Sequence, residues 1–193
     1  MGTEIKRGVL YTLVTMVLFG GIYHVVVWGI ATTLFPHQAE GSLIRDAKGT
    51  VIGSSLIAQK FTRPEYFQPR PSAVDYNAAS TGASNYGPTN PDHLAAVRQR
   101  IDAIVAQEGV TPAQIPSEMV TTSGGGLDPE IPPTAAAIQV ARIARARHVS
   151  ADEVGSLVQA HTAGPLLGIF GRERVNVLEL NLDLDRQLGK ASQ

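Results

Sequence analysis

Cysteine is absent from this sequence of 193 residues. Its absence excludes disulfide-stapled scaffolds, cysteine-ligated zinc sites, thiol nucleophiles and thiolate-held iron–sulfur clusters. A basic excess is also missing, because 16 Lys and Arg side chains stand against 17 Asp and Glu, for a net charge of −1. Proteins that bind nucleic acid normally carry a basic face, so nucleic acid is not an expected partner. Hydrophobic residues make up 44% of the chain, which predicts a folded protein rather than a disordered one.

Charge is missing altogether from residues 8–35, a run of 28 residues without Asp, Glu, Lys or Arg. A helix of that length measures about 42 Å, which exceeds the ~30 Å hydrocarbon core of a bilayer. The run is too long for the hydrophobic part of a cleaved signal peptide, which usually has about 7–15 residues. It therefore predicts one transmembrane helix that stays in the plasma membrane as an uncleaved signal anchor, in contact with lipid.

The residues that flank this run predict its orientation. Lys6 and Arg7 lie directly before it, whereas the first basic side chain after His37 is Arg45, close to two acidic residues. The positive-inside rule places the basic side in the cytoplasm. The predicted domains are a cytoplasmic N-terminus over 1–7, a transmembrane helix over 8–35 and an extracytoplasmic domain over 36–193. In a cell with two membranes, that domain is periplasmic and the helix lies in the inner membrane.

A stripe of small residues marks one side of the predicted membrane helix. Gly21 and Gly29 are eight residues apart and share one face, and Gly20 and His24 form an adjoining small and polar stripe. Small residues allow helix backbones to approach closely in lipid, and a buried imidazole requires a hydrogen-bond partner. Two interpretations stay open: a lone anchor with incidental glycines, or a helix that packs against a larger membrane protein.

The outer domain shows both helical and strand patterns. In chain order the sequence predicts a β-hairpin over 41–56, a long polar loop over 66–92 and a helix over 91–108 between Asn90 and Gly109. A second helix is predicted over 134–148, and its expected apolar face consists of Ala137, Val140, Ala141 and Ala144. A third helix, capped by Ser150 and Glu153, and a strand over 175–184 follow. A bulge or a change of structure is expected near Val177, where the alternation of apolar residues changes phase. The predicted fold is an α+β extracytoplasmic domain, anchored by one N-terminal transmembrane helix.

Catalytic patterns are lacking. The glycine triplet at 124–126 is followed by Leu127 and Asp128 rather than by the lysine of a phosphate-binding loop. The five histidines do not have the spacing of metal ligands, and no nucleophile elbow occurs. The sequence therefore predicts no catalytic residue and no metal site, and an independent enzyme is disfavoured.

The polar loops carry the candidate binding residues instead. Aromatic and arginine anchors among adaptable polar groups are typical of a binding surface. The candidates for contact with another subunit are Tyr66, Phe67, Arg70, Ser72, Tyr76, Asn77, Ser84, Asn85, Ser123, Gly124, Gly126 and Asp128. A structural alternative is open for two of them, because Arg70 is also consistent with a solvated side chain and Asp128 with a turn cap.

Several short motifs occur in a characteristic order after the membrane helix. They are GSLI at 41–44, IGSSLI at 52–57, YFQPRPSA at 66–73, YN at 76–77, GASNYGP at 82–88, SGGGLDP at 123–129, Gln139 with Arg142 and Arg147, VNVL at 175–178 and LN at 180–181. Together they closely resemble the C subunit of the Kdp potassium-transporting P-type ATPase, over nearly the whole chain. Slight departures stand at Gln68, Ala83 and Gly125.

The resemblance implies an accessory, non-catalytic subunit of a high-affinity, ATP-driven potassium uptake complex. Its partners would be a channel-like potassium-binding subunit, an ATP-hydrolysing P-type subunit and a small single-helix subunit. It implies no cofactor of the chain's own, since ATP and potassium are handled by the complex. Members of this family are described as catalytic chaperones that support assembly and raise the ATP affinity of the hydrolysing subunit.

That description conflicts with the predicted topology, because ATP is cytoplasmic and most of this chain is expected outside. Any effect on ATP affinity would then be allosteric, or would involve only the short N-terminal segment. The outer domain is expected to cap the channel-like subunit near the ion entrance. The alternative hypothesis is a free, membrane-anchored extracytoplasmic binding module or enzyme.

Overall fold

The computed structural model describes residues 2–189 and divides the chain into two compact units that meet between Ile52 and Gly53. The predicted boundaries at residue 1 and at 193 lie outside the described residues. The fold mixes helices with short strands, as the sequence predicts. The two units are taken in turn.

The first unit is mainly one long apolar helical stretch. Helix α1 (Gly2–Val17) passes through a π-helical turn (Leu18–Ile22) into helix α2 (Tyr23–Leu34). The helical stretch Gly2–Leu34, of 33 residues, is long and apolar enough to cross a membrane. Its most apolar part has no buried residue. A short helix α3 (Pro36–Ala39) follows, where Phe35 leaves the helical conformation.

The predicted hairpin is confirmed as strands β1 (Leu43–Arg45) and β2 (Val51–Ser54), which pair with each other. The turn between them is held by Asp46, whose carboxylate accepts hydrogen bonds from the backbone N–H groups of Lys48 and Thr50 at 2.9 and 2.8 Å. Gly49 has a φ of +82°, the left-handed conformation that favours glycine at the end of such a turn.

Over its described residues, 53–189, the second unit contains five α-helices, two short 3-10 helices (Pro112–Gln114 and Ser117–Met119) and a small antiparallel sheet. Its elements are α4 (Pro91–Glu108), β3 (Glu130–Ile131), α5 (Pro133–Ala137), α6 (Val140–Arg147), α7 (Ala151–Ala160), β4 (Thr162–Ala163), β5 (Arg174–Asn176) and α8 (Val177–Gln187). Strand β5 lies between β3 and β4, with Val175 opposite both Ile131 and Thr162. Helix α7 packs against α5, α6 and α8.

The caps predicted for α4 and α7 are confirmed. The Asn90 side chain accepts hydrogen bonds from the first turn of α4, and Gly109 ends that helix with a φ of +71°. Ser150 and Glu153 form a capping box at α7, which presents Val154, Leu157 and Val158 to the core. Both caps could be predicted from the sequence because a cap depends only on residues within one helical turn.

The predicted strand over 175–184 is wrong beyond its first two residues. A change of structure does occur at Val177, where β5 gives way to α8, and the Asn176 side chain caps the helix by accepting from the Glu179 N–H at 3.1 Å. Helix α8 buries Leu180, Asn181 and Leu184, which have helical spacing. A polar asparagine occupies one of these core positions, so the helical spacing of buried residues is not visible as a spacing of apolar residues. The alternating leucines therefore suggested a strand.

The helix predicted over 134–148 is interrupted at Ile138 and Gln139, between α5 and α6. Its predicted apolar face is also wrong at Ala137 and Ala141, which are exposed. The buried side carries Ala135, Ala136, Gln139, Arg142 and Ile143 instead. Ala144 is buried and Val140 packs against the core, as predicted, so the buried side is shifted rather than reversed, and it includes two polar side chains that have partners inside the protein.

Candidate subunit-contact surface

The glycine stripe of the long apolar helix faces open space. A Cβ atom placed on Gly20, Gly21 or Gly29 would meet no atom within 4 Å in the described chain. Nothing inside this chain therefore requires glycine at these positions. Gly20 and Gly21 lie in the π-helical turn, a local widening that is frequent at functional sites and that the sequence analysis did not predict. The His24 ring lies edge-on to Tyr23, with 5.7 Å between ring centroids.

A group of polar side chains holds residues 64–68 against helices α6 and α8 of the second unit. We call this group the polar clamp, and its members are Gln139, Arg142, Arg147, Asn181 and Asp185. All five contact the segment through hydrogen bonds, mostly to backbone atoms. A stretch without regular secondary structure thus has backbone polar groups paired by side chains, which is what allows Glu65 and Phe67 to be buried.

Arg142 is the centre of the clamp, with a side chain only 6% exposed. Its Nε donates to Glu108 Oε1 at 2.8 Å, and its Nη1 donates to the carbonyl oxygens of Pro64 and Tyr66. Its Nη2 donates to Gln139 Oε1 at 2.9 Å. Burial raises the pKa of Glu108, against the opposing effect of the Arg142 guanidinium. The arginine therefore ties α4 to α6 and to the loop segment through one buried group.

Phe67 is fixed at both backbone polar groups and by its ring. Asn181 accepts from the Phe67 N–H at 2.8 Å and donates to its carbonyl oxygen at 2.9 Å. The ring is 0% exposed and belongs to the hydrophobic core. The neighbouring Tyr66 hydroxyl donates to Asp185 at 2.8 Å, and its ring lies 5.0 Å from the Arg147 guanidinium.

Two further loops brace each other, and we call residues 70–85 and 121–128 the loop brace. Arg70 and Asp128 form an ion pair across it, with 3.0 Å between Nη1 and Oδ2. Asp128 Oδ1 also accepts from the Glu130 N–H at 3.0 Å, so the predicted turn cap is confirmed. The Tyr76 hydroxyl donates to the Arg70 carbonyl at 2.7 Å, and burial raises the pKa of Tyr76.

Glycine at position 126 is required by the close approach of the two loops. Its φ is +72°, and a Cβ atom there would lie 2.7 Å from Val74 Cγ2 and 3.0 Å from the Gly82 carbonyl oxygen. The neighbouring Gly125 carbonyl accepts from the Gly82 N–H and from the Thr81 hydroxyl, both at 3.1 Å. The SGGG motif thus serves as a backbone contact for the first loop.

The predicted contact residues fall into three groups by exposure. Asn77, Asn85 and Gly124 are exposed; Tyr66, Arg70, Ser72, Tyr76, Ser84 and Asp128 are half-buried; Phe67, Ser123 and Gly126 are buried. The buried side chains have no surface to offer to another subunit, and their positions are explained by core and loop packing. Contact between the others and a partner stays a prediction.

Among residues 2–189 there is no group of three or more His, Asp or Glu side chains that could hold a metal ion. The SGGG loop is occupied by contacts within the loop brace.

Comparison with known proteins identifies what this arrangement belongs to. A family model described as "K+-transporting ATPase, c chain" matches residues 5–186, which includes the apolar helix and nearly all of the second unit. The chain belongs to the KdpC family. It is 47% identical over 191 residues to the potassium-transporting ATPase KdpC subunit of Caldanaerobacter subterraneus subsp. tengcongensis, with 98% of each chain covered. It is 48% identical over 185 residues to the KdpC subunit of Geobacter sulfurreducens, with 94% of this chain and 97% of that relative covered.

Several of the motif residues that indicate the KdpC family have a structural role inside this chain. Gln139, Arg142, Arg147 and Asn181, which carried part of the resemblance, are clamp residues inside the fold. Their types are explained by the backbone groups that they pair. In this chain, these motif residues therefore stabilise the fold.

One exposed feature of this KdpC chain was missed by the sequence analysis. Between β4 and β5 the segment 165–171 forms a tight hairpin, and its four large apolar side chains at 166, 167, 169 and 170 are all exposed. We call this segment the apolar hairpin. The signal was present as PLLGIFG, four large apolar residues among two glycines and a proline, but no helical or strand period drew attention to it.

Proposed function

We propose that this chain is the accessory, non-catalytic C subunit of an ATP-driven potassium uptake complex. The observation that carries the proposal is the family match over residues 5–186, together with near end-to-end coverage of relatives named as KdpC subunits. Its partners would be the channel-like, ATP-hydrolysing and small single-helix subunits of the complex.

In this proposal the apolar helix crosses the plasma membrane, with Lys6 and Arg7 in the cytoplasm and the second unit outside. The support is the positive-inside rule and the length of the apolar stretch. A reporter that is active only in the cytoplasm, fused after Gln193, should be silent, while the same reporter fused before Met1 should be active. Activity of the C-terminal fusion would overturn the outside placement.

The outer unit would cap the channel-like subunit near the ion entrance, through the exposed part of the loop brace. Asn77, Asn85 and Gly124 offer adaptable polar groups there, and half-buried Arg70 and Tyr76 provide larger anchors. The loop brace supports this role because it holds the loops in one conformation, which lowers the entropic cost of binding.

The membrane helix would pack against a larger subunit through Gly20, Gly21, His24 and Gly29. The shared face of Gly21 and Gly29 supports this, since close helix packing in lipid depends on small residues. Raising the ATP affinity of the hydrolysing subunit would then be an allosteric effect, transmitted through neighbouring subunits.

Purification of the complex through a tag on this chain tests the proposal. The unaltered chain should bring the other subunits along in fixed ratio, and the complex should hydrolyse ATP in response to potassium. Gly21→Leu with Gly29→Leu should lower subunit recovery without preventing membrane insertion, whereas the matched control Gly8→Leu should have little effect. A chain that is always recovered alone would favour the free, membrane-anchored module instead.

A further inference from the structure

The large side chains of the apolar hairpin are exposed, and packing within the described part of the second unit does not account for this exposure. Leu167 is 81% exposed, Ile169 77%, Phe170 63% and Leu166 62%. Four large apolar side chains are thus exposed within five residues of one hairpin, and clustered exposure of this kind marks sites of interaction more often than scattered exposure does. Most of the remaining exposed apolar residues of this unit stand singly, as Leu56 does.

The hairpin is also held in one conformation. Leu166 and Phe170 exchange both backbone hydrogen bonds, at 2.8 and 2.9 Å, and the Gly168 N–H donates to the Pro165 carbonyl at 3.0 Å. Leu167 has a φ of +54°, a left-handed conformation that is unfavourable for a branched, non-glycine residue. A strained residue at the tip of an exposed loop is a feature that binding sites use to present side chains in a fixed arrangement.

We propose that the apolar hairpin is an anchor that inserts into an apolar pocket on another subunit of the same ATPase. This inference rests on the proposed function, since it needs a partner subunit. A fixed, convex tip of Leu, Ile and Phe fits a concave pocket of aliphatic and aromatic side chains. A stable interface buries roughly 800 Å² on each partner, more than four side chains provide, so the hairpin is one anchor within a larger contact.

The charges around the hairpin favour a protein over a lipid surface. Residues 165–173 carry one Arg and one Glu, and Arg174 is paired with Glu130 at 2.9 Å. Loops that bind anionic lipid headgroups carry a basic excess, which this hairpin lacks. A fluid bilayer also does not require a strained, fixed backbone, whereas a shaped protein pocket does.

The absence of cysteine makes a direct test possible, because Ile169→Cys introduces a single thiol. The full chain is placed in lipid nanodiscs, alone and in the assembled complex, and its labelling by a water-soluble maleimide is followed by mass spectrometry. Gln159→Cys, on the exposed side of α7, gives the rate for a free thiol. We expect Ile169→Cys to label at that rate in the chain alone and at least tenfold more slowly in the complex.

Fast labelling in both states would overturn the inference, because the tip would then stay in water. Slow labelling in the chain alone would overturn it too, since lipid or a second copy of the chain would be the occupant. Slow labelling that disappears at one chain per disc identifies the second copy, and slow labelling that persists identifies lipid.

A second measurement uses recovery of the complex. Ile169→Ser with Phe170→Ser should lower the yield of the other subunits several-fold, and Leu56→Ser, a matched loss of exposed apolar surface elsewhere, should not. Unchanged recovery of the hairpin variant overturns this inference alone, because the unaltered chain still shows the complex. If the unaltered chain recovers no partner, the proposed function fails, and the inference fails with it.

Discussion

Two segments of the second unit reverse the expected relation between hydrophobicity and burial. Residues 64–68 are mixed in character and have no regular secondary structure, yet Phe67 is fully buried and the backbone is enclosed by the polar clamp. The apolar hairpin is rich in Leu, Ile and Phe, yet it extends into solvent. Residues 64–68 tolerate burial because the clamp pairs their backbone polar groups, whereas the hairpin also has paired backbone groups but no described segment of the chain covers its side chains.

The comparison also separates two roles. Every polar group that encloses residues 64–68 has a partner within this chain, so the clamp stabilises the fold. The side chains of the hairpin lack such partners in the described structure, so their loss should affect association rather than folding. Four predictions test this division by the change in the free energy of unfolding.

The largest effect is expected from Arg142→Met. The change leaves the Glu108 carboxylate buried without its counterion and leaves two carbonyl oxygens unpaired. Breaking a buried ion pair in this way costs about 3–5 kcal/mol. Urea unfolding of the full chain in detergent, followed by circular dichroism, measures the loss. Adding Glu108→Leu should recover part of it, and a loss below about 1 kcal/mol would show that the clamp is not structural.

Asn181→Leu should have the next largest effect. The two side chains are similar in size, but leucine leaves the N–H and carbonyl of Phe67 buried without partners. Each unsatisfied group costs about 1–3 kcal/mol. The same unfolding measurement applies, with the exposed Gln159→Leu as a matched control. Equal stabilities for the two variants would contradict the role given to Asn181.

Asp183 on α8 provides an intermediate case, because its pair with His161 is only partly buried. The hydrogen bond from His161, with Oδ2 to Nε2 at 2.9 Å, holds the pKa of Asp183 below its ordinary value of 3.8. The unfolded chain then binds protons more readily. The stabilising contribution is therefore present above pH 3.8 and is lost as the pH falls through the lower, folded pKa. Unfolding midpoints between pH 3 and 5 should fall less steeply in Asp183→Asn, and identical slopes would disprove the contribution.

The smallest effect on folding is expected at the apolar hairpin. Ile169→Ser with Phe170→Ser should change the free energy of unfolding by less than about 0.5 kcal/mol, as is usual for surface substitutions. The two lost side chains are large, so the same change in a core would cost several times more. A loss of about 2 kcal/mol or more would mean that the hairpin packs within this chain, and the contrast with the clamp would disappear.

Local signals predicted a substantial part of the fold. The uncharged run over 8–35 predicts the long apolar helix, and the caps of α4 and α7 give their starting points, because these features depend on neighbouring residues alone. The motif order, through the resemblance, predicted the KdpC family, which the family match confirms. The sequence predicted the candidate contact residues as one surface, whereas the structure divides them into exposed, half-buried and buried residues.

Tertiary structure decided the rest. No reliable local signal predicts the π-helical turn at Gly20 and Gly21, the burial of Arg142 and Asn181, or the helix that replaces the predicted strand over 177–184. A polar side chain is predicted to lie outside unless its partner is known, and the partners of Asn181 and Arg142 stand 114 and 34 residues away in sequence. The sequence alone determined where α4 and α7 begin and which family the chain belongs to. Only the folded chain decided which polar groups lie inside, because that depends on contacts that form between distant segments.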